Sequence, residues 1–302
     1  MFRQRIQIGL IHSAIAITLV PINSTLNRIM IKELALSATL VALLASLPYL
    51  FSPIQIWIGS FSDRNPILGY RRTPYIVLGW LLCILGVIVS PYIAFLLASN
   101  PALGIILGTL AFGAWGMGYN FATVSYFSLA TELSGERQRS RTIAVMFFMM
   151  IIAIIFTSVS LGNMLETYTQ ENLFDAFFKV GIAALVMGLL GLIGLEPKIK
   201  KNDKLPISEK QTWGEMVRMI LGNPQATQFF IYLFLLLTAI LGQDILLEPY
   251  GAEAFGLSVE KTTRITSIWG TVFLLALSVG GILEDRVSKL VQAKISAWIG
   301  IL

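Results

Sequence analysis

The sequence predicts an all-α polytopic membrane protein made of two related sets of helices, and three observations predict it. Of 302 residues, 56% are hydrophobic and only 13% charged, whereas soluble domains carry roughly 25% charged residues. The apolar residues gather into runs of about 20, the length a helix needs to cross roughly 30 Å of hydrocarbon. A pattern, G-x-x-x-D-R, occurs at residues 59–64 and again at 281–286, each time after an apolar run. Mean hydropathy is +0.76, so a bilayer must stand in for the interior that a water-soluble chain of this size lacks.

The apolar runs fall at about 6–27, 38–60, 74–98, 101–130, 142–162, 174–195, 226–247 and 264–283. The first follows Arg3 and Arg5 as a signal peptide would. Its length and the lack of a small-residue cleavage site make it a retained helix. Pro21, Pro48 and Pro53 are expected to kink the first two helices, and the carbonyls so freed need partners. In the fourth run Gly104, Gly108, Gly113, Gly116 and Gly118 form a small face for close helix packing. Tyr119, Asn120 and Tyr126 add polar groups to that helix and are candidates for lining an inner cavity.

The longest polar stretch, 196–224, reads as a linker between a six-span half at 1–195 and a second half at 225–302. Ser208 and Gln211 make a capping box there, and Trp213, Met216, Val217 and Ile220 follow at helical spacing. This helix is expected to lie in the membrane interface. Residues 295–302 open a ninth apolar run, but eight residues reach only ~12 Å. The C-terminal half is therefore expected to be truncated, at eight spans plus a partial ninth.

Lysine and arginine outnumber acidic residues 22 to 17. With the N-terminus placed in the cytoplasm, 17 of the basic residues fall on inner segments and five on outer ones, so the excess is a topogenic signal. No basic patch for nucleic acid is needed to explain it. One cysteine, Cys83, gives no disulfide framework, and one histidine, His12, gives no histidine-rich metal centre. There is no phosphate-cradling loop and no nucleophile elbow. Neither an enzyme nor a protein-ligated metal site is expected.

The two G-x-x-x-D-R stretches lie 222 residues apart, and Leu36-Ser37 and Leu257-Ser258 open the second and eighth runs at an offset of 221. Two six-span halves in parallel repeat resemble the major facilitator superfamily. Residues 59–72, G-S-F-S-D-R-N-P-I-L-G-Y-R-R, are similar to that superfamily's loop motif with a short insertion. In that motif Gly59 lets two helices approach, Asp63 can face a helix N-terminus, and Arg64, Arg71 and Arg72 anchor the loop after Gly69 at the anionic inner surface. Gly281, Asp285 and Arg286 repeat the pattern, and residues 132–141, E-L-S-G-E-R-Q-R-S-R, resemble the charged loop after the fourth span.

Three further stretches are more specific: N-S-T-L-N-R-I-M-I-K-E-L from Asn23, G-Y-R-R-T-P-Y-I from Gly69, and Q-D-I-L-L-E-P-Y-G from Gln243. Together they resemble the PucC-like, or bacteriochlorophyll delivery, family, from residue 6 to about residue 294. The resemblance implies an assembly factor that binds or delivers chlorophyll or bacteriochlorophyll while light-harvesting or photosystem complexes are built. It implies antenna or photosystem polypeptides and pigment-synthesis enzymes as partners, in a thylakoid or a bacterial inner membrane. The residues alone equally admit a secondary transporter of a small solute or lipid-like pigment, or a scaffold for partner helices without pigment.

Ionisable residues inside a membrane cost on the order of 3 kcal/mol each and need a partner or a purpose. At the 221-residue offset Asn23 falls on Asp244 and Asn27 on Glu248, near the outer boundary of the hydrocarbon. Arg28 is expected to pair with Asp244 or Glu248, with Asn23, Asn27 and Gln243 in the same network. His12, about two turns into the first helix, is either hydrogen-bonded to a neighbouring helix or an axial ligand for chlorophyll magnesium.

Overall fold

The computed structural model describes residues 2–135, 138–198, 218 and 221–284, and among them the protein is helices joined by turns and short loops, with one isolated bridge and no strand. The expected linker helix around Trp213 lies outside the described residues, as do Asp285 and Arg286. The first span is longer than the apolar run that predicts it. Helix α1 (Phe2–Val20) passes without a break into π-helical turns at Pro21–Leu26 and Ile29–Glu33, forming one apolar helix of 32 residues. Pro21 has no N–H to donate to the carbonyl four residues back. The chain responds by widening, with Asn27 N–H bonding the carbonyl of Ile22, five back as a π-turn requires.

The second expected span is not one helix. It is three, α2 (Ala38–Ala45), α3 (Leu47–Leu50) and α4 (Ile54–Arg64), interrupted where Pro48 and Pro53 withdraw their donors. α5 (Thr73–Ser99) and α6 (Pro101–Ser134) are joined through Asn100, whose side chain accepts the Leu103 N–H at 3.3 Å and so caps α6. α7 (Arg139–Met164) and α8 (Gln170–Leu192) complete this group. α9 (Pro224–Phe255) starts at an Asn223 cap and ends at Gly256, whose φ of +62° supplies the left-handed turn that stops it. α10 (Val259–Glu284) runs back.

Five helices among the described residues are long and apolar enough to cross a membrane: the extended α1, α5, α6, α7 and α8. α1 is buried on all sides from Ile11 to Ile17, which marks it as the central helix, and it packs on α7, α8 and α6. The α5–α6 pair is the most extensive contact. Gly79 and Gly118 face each other across it, and a Cβ at Gly118 would sit 2.5 Å from Leu82 Cβ. Gly116 lets α3 approach, since a Cβ there would meet Pro48 N at 2.9 Å. Outward, Leu78, Leu81, Leu85 and Val89 form an exposed apolar stripe on α5, and Phe178, Ile182, Val186 and Leu189 form one on α8. Contiguous exposed apolar faces of this extent suit hydrocarbon rather than water.

Candidate functional site

At one end of the bundle the loop motif folds into a charge cluster around a buried arginine. Leu68 and Gly69 have φ of +54° and +82°, and Ile67 and Tyr70 exchange hydrogen bonds of 2.9 and 3.0 Å. This tight turn needs a residue tolerant of positive φ, which Gly69 supplies. The turn returns Arg72 over α4. Arg72 is 5% exposed, pairs with Asp63 and with Glu132 (3.1 Å), and donates to Ser62 Oγ at 2.7 Å. Arg71 reaches the other Glu132 oxygen at 3.2 Å.

One expectation is corrected here. Arg72 does not anchor the loop at a lipid surface, because two carboxylates and a hydroxyl draw it inward. Asp63 pairs with Arg72, the residue that opens α5, and leaves the backbone amides there to another acid. Glu196 takes that place: its carboxylate accepts the backbone N–H groups of Arg71 (2.8 Å), Arg72 (3.1 Å) and Thr73 (2.6 Å) at the start of α5, where unpaired amides and the helix dipole favour an anion. Gly59 does allow close approach, with Val124 of α6 3.3 Å from where its Cβ would be.

Towards the other end, the π-helical part of the first span meets α9 and α10. Ser24 donates to the Glu248 carboxylate, and Thr266 donates to the same oxygen at 3.2 Å. The Thr25 and Thr263 hydroxyls meet at 3.0 Å, and Lys32 pairs with Glu253 at 2.9 Å. Arg28 does not hydrogen-bond Glu248: Glu33 takes its guanidinium at 2.8 Å and the Leu257 carbonyl at 3.1 Å. In an α-helix, at ~100° per residue, Glu33 would stand about 140° around from Arg28. The π-turns close that gap, giving a pairing invisible to α-helical spacing, while the expected alternative with Asp244 falls outside the described side chains. Asn27 Nδ2 bonds the Asn23 carbonyl at 2.8 Å. The side chains of Gln243 and Asp244 lie outside the described residues, so the rest of that expected network stays open.

A cavity of about 260 Å³ lies at this seam, lined mainly by Ala16, Leu19, Val20, Met150, Ile154, Leu247 and Trp269, with Asn23, Ser24, Tyr49, Glu248 and Thr266 supplying its polar atoms. Glu248 is 2% exposed. Its second oxygen, and Oδ1 of Asn23, have no hydrogen-bond partner among the described residues.

None of the four residues singled out for pigment or a cavity lines this space. His12, 4% exposed, sets Nε2 against Met150 Sδ at 2.7 Å and is ringed by Tyr126, Phe127 and Phe147 with centroids 5.0–5.5 Å away. Its Nδ1 has no hydrogen-bond partner among the described residues. Asn120 is a clamp: its amide donates to the Pro48 carbonyl (2.9 Å) and the Gly116 carbonyl (2.8 Å) and accepts from Gln55. It thereby provides a partner to the broken second span. Tyr119 packs against the core and Tyr126 is buried within it. Among the described residues no group of three or more His, Cys, Asp or Glu could hold a metal.

Sequence reasoning missed Ser24, Thr266, Ser62 and Glu196. Serine and threonine in a helix usually bond their own backbone, so nothing marked Ser24 or Thr266 as a cross-helix pair. Glu196 was legible as a lone acid at a helix end, but not the helix it would cap.

Residues 25–302 match the family described as PUCC protein. The chain is 29% identical over 273 residues to Protein PucC of Cereibacter sphaeroides, covering 88% of this chain and 59% of that one. It is 27% identical over 273 residues to Protein PucC of Rhodobacter capsulatus, with 87% and 59% covered. It is also 29% identical over 278 residues to the bacteriochlorophyll synthase 44.5 kDa chain of Rhodobacter capsulatus, with 92% and 64% covered. The chain thus spans about three-fifths of the length of these curated relatives. With the match running from residue 25 to residue 302, the chain belongs to the PUCC protein family.

Proposed function

We propose that the protein is a membrane-embedded assembly factor for photosynthetic complexes that binds or delivers bacteriochlorophyll or chlorophyll while antenna or reaction-centre polypeptides are built. The observation that carries this reading is the family match over residues 25–302, together with a relative named for bacteriochlorophyll. The structure contributes an all-α body with an apolar exterior, suited to meeting pigment and partner helices within the bilayer. In this reading the protein binds and hands over; it does no chemistry on the pigment. Its architecture is that of the major facilitator superfamily, with the six-span half at 1–195, the linker at 196–224 and part of the second half after it. The distribution of basic residues, 17 on the segments assigned inside and five outside, supports a cytoplasmic N-terminus.

The test is genetic. In a phototrophic bacterium deprived of its own family member, the protein is expected to restore the near-infrared absorbance of the antenna. Unimpaired antenna assembly in the deprived strain would sink the reading.

The seam cavity favours a second reading, a secondary transporter. It lies between two groups of helices, as substrate sites of such proteins do, and holds a buried carboxylate of the kind that marks membrane ion or substrate paths. Saturable uptake of a solute into vesicles, lost in Glu248→Gln, would support it.

A further inference from the structure

The polar end of the seam cavity has a chemistry that a tetrapyrrole does not match. Ser24 and Thr266 spend their hydroxyl hydrogens on one Glu248 oxygen. What remains is the other Glu248 oxygen and Asn23 Oδ1, both buried and both without a partner among the described residues. A carboxylate and an amide oxygen are acceptors, and a buried carboxylate also needs countercharge. Arg28, in the π-helical part of the first span, gives its terminal guanidinium nitrogens to Glu33 and to the Leu257 carbonyl and does not hydrogen-bond Glu248. Ring ketones and tail esters only accept hydrogen bonds, and a central magnesium takes one oxygen as an axial ligand, so a tetrapyrrole would leave at least one of the two oxygens without a donor. The remaining lining is chiefly aliphatic and aromatic.

We propose that this cavity is a binding site for an aliphatic amphiphile whose polar end is a primary ammonium. An ammonium carries three donors and no acceptor. Glu248 Oε2 and Asn23 Oδ1 take two of them, and a lone pair on Ser24 Oγ takes the third. Its charge supplies the partner that Glu248 lacks. The aliphatic part lies along Leu19, Val20, Ile154 and Leu247. A cavity of about 260 Å³ holds a small head and a short aliphatic chain. A longer tail would leave past Trp269, which is 42% exposed. The site goes beyond the pigment reading and does not rest on it.

The test is calorimetric titration of the protein in lipid nanodiscs with octylamine, 1-octanol and methyl octanoate, with empty nanodiscs as the blank. Octylamine is expected to bind saturably at one site, and the alcohol and ester at least tenfold more weakly. A hydrogen bond to a charged group changes affinity by about tenfold or more. Glu248→Gln is therefore expected to weaken octylamine by about that factor and to erase its preference over the alcohol. Asn23→Leu, at a half-buried position that does not hold Ser24 or Thr266, is expected to weaken it severalfold.

Equal binding of octanol and octylamine would overturn the proposal. So would unchanged octylamine binding in either variant with wild-type helicity and melting temperature. If Glu248→Gln does not fold, Asn23→Leu and the ligand series decide. A colourless preparation would count against pigment handling and leave this titration untouched.

Discussion

The charges that matter most are the ones drawn inward. Arg72 balances Asp63 and Glu132 from a nearly buried position, and removing one partner of such a cluster leaves uncompensated charge. Arg72→Met should destabilise the fold by about 1–2 kcal/mol, because Asp63 and Glu132 are partly exposed and water screens the charge left behind, read as a lower melting temperature in nanodiscs. An unchanged melting temperature would mean that the cluster is solvated. Asn120→Ala strips a partner from the Pro48 carbonyl and from Gln55, at a cost of about 1–3 kcal/mol. Here the sequence showed which residues were charged or polar in a span but not whom they met. Arg28 illustrates why: its partner is five positions on, reachable only because the helix has widened into π-turns, and no α-helical offset reveals that.

Helices were more legible than contacts. Runs of apolar length located the extended α1, α5, α6, α7 and α8 to within a few turns, because a membrane leaves few other ways to satisfy a backbone. The same rule of length misjudged 38–60, where two prolines and their neighbouring serines break the run into α2, α3 and α4. Proline signals a disturbance without saying which kind: at Pro21 the helix widened, and at Pro48 it stopped. The glycine face on α6 was readable as packing, and its partners prove to be Gly79 and Leu82 on α5 and Pro48 on α3. Gly118→Leu would drive a side chain into the α5 backbone. It should cost at least about 1–3 kcal/mol and lower the yield of folded protein, whereas Gly69→Asn, in an open turn, should be tolerated.

For the whole molecule, the two groups of helices meet at two places, the packing of α7 on α10 and the seam between the π-helical part of the first span and α9–α10, and the second is the polar one. It was foreseen as a polar network, yet its actual partners, Ser24 with Glu248 and Thr25 with Thr263, were not. Orientation rests on the distribution of basic residues and can be checked directly. Cys83 is buried, so single cysteines introduced at Leu68, 85% exposed at the loop-motif end, and at Thr167, exposed at the opposite end, report separately. A membrane-impermeant maleimide added outside intact cells should label Leu68→Cys poorly and Thr167→Cys well; the reverse pattern would invert the topology. The most direct test of the central claim is an absorption spectrum of the protein purified from a phototrophic membrane. Pigment handling predicts a red or near-infrared band from tetrapyrrole in near-stoichiometric amount. A preparation that stays colourless when isolated from cells actively building antenna complexes would contradict it.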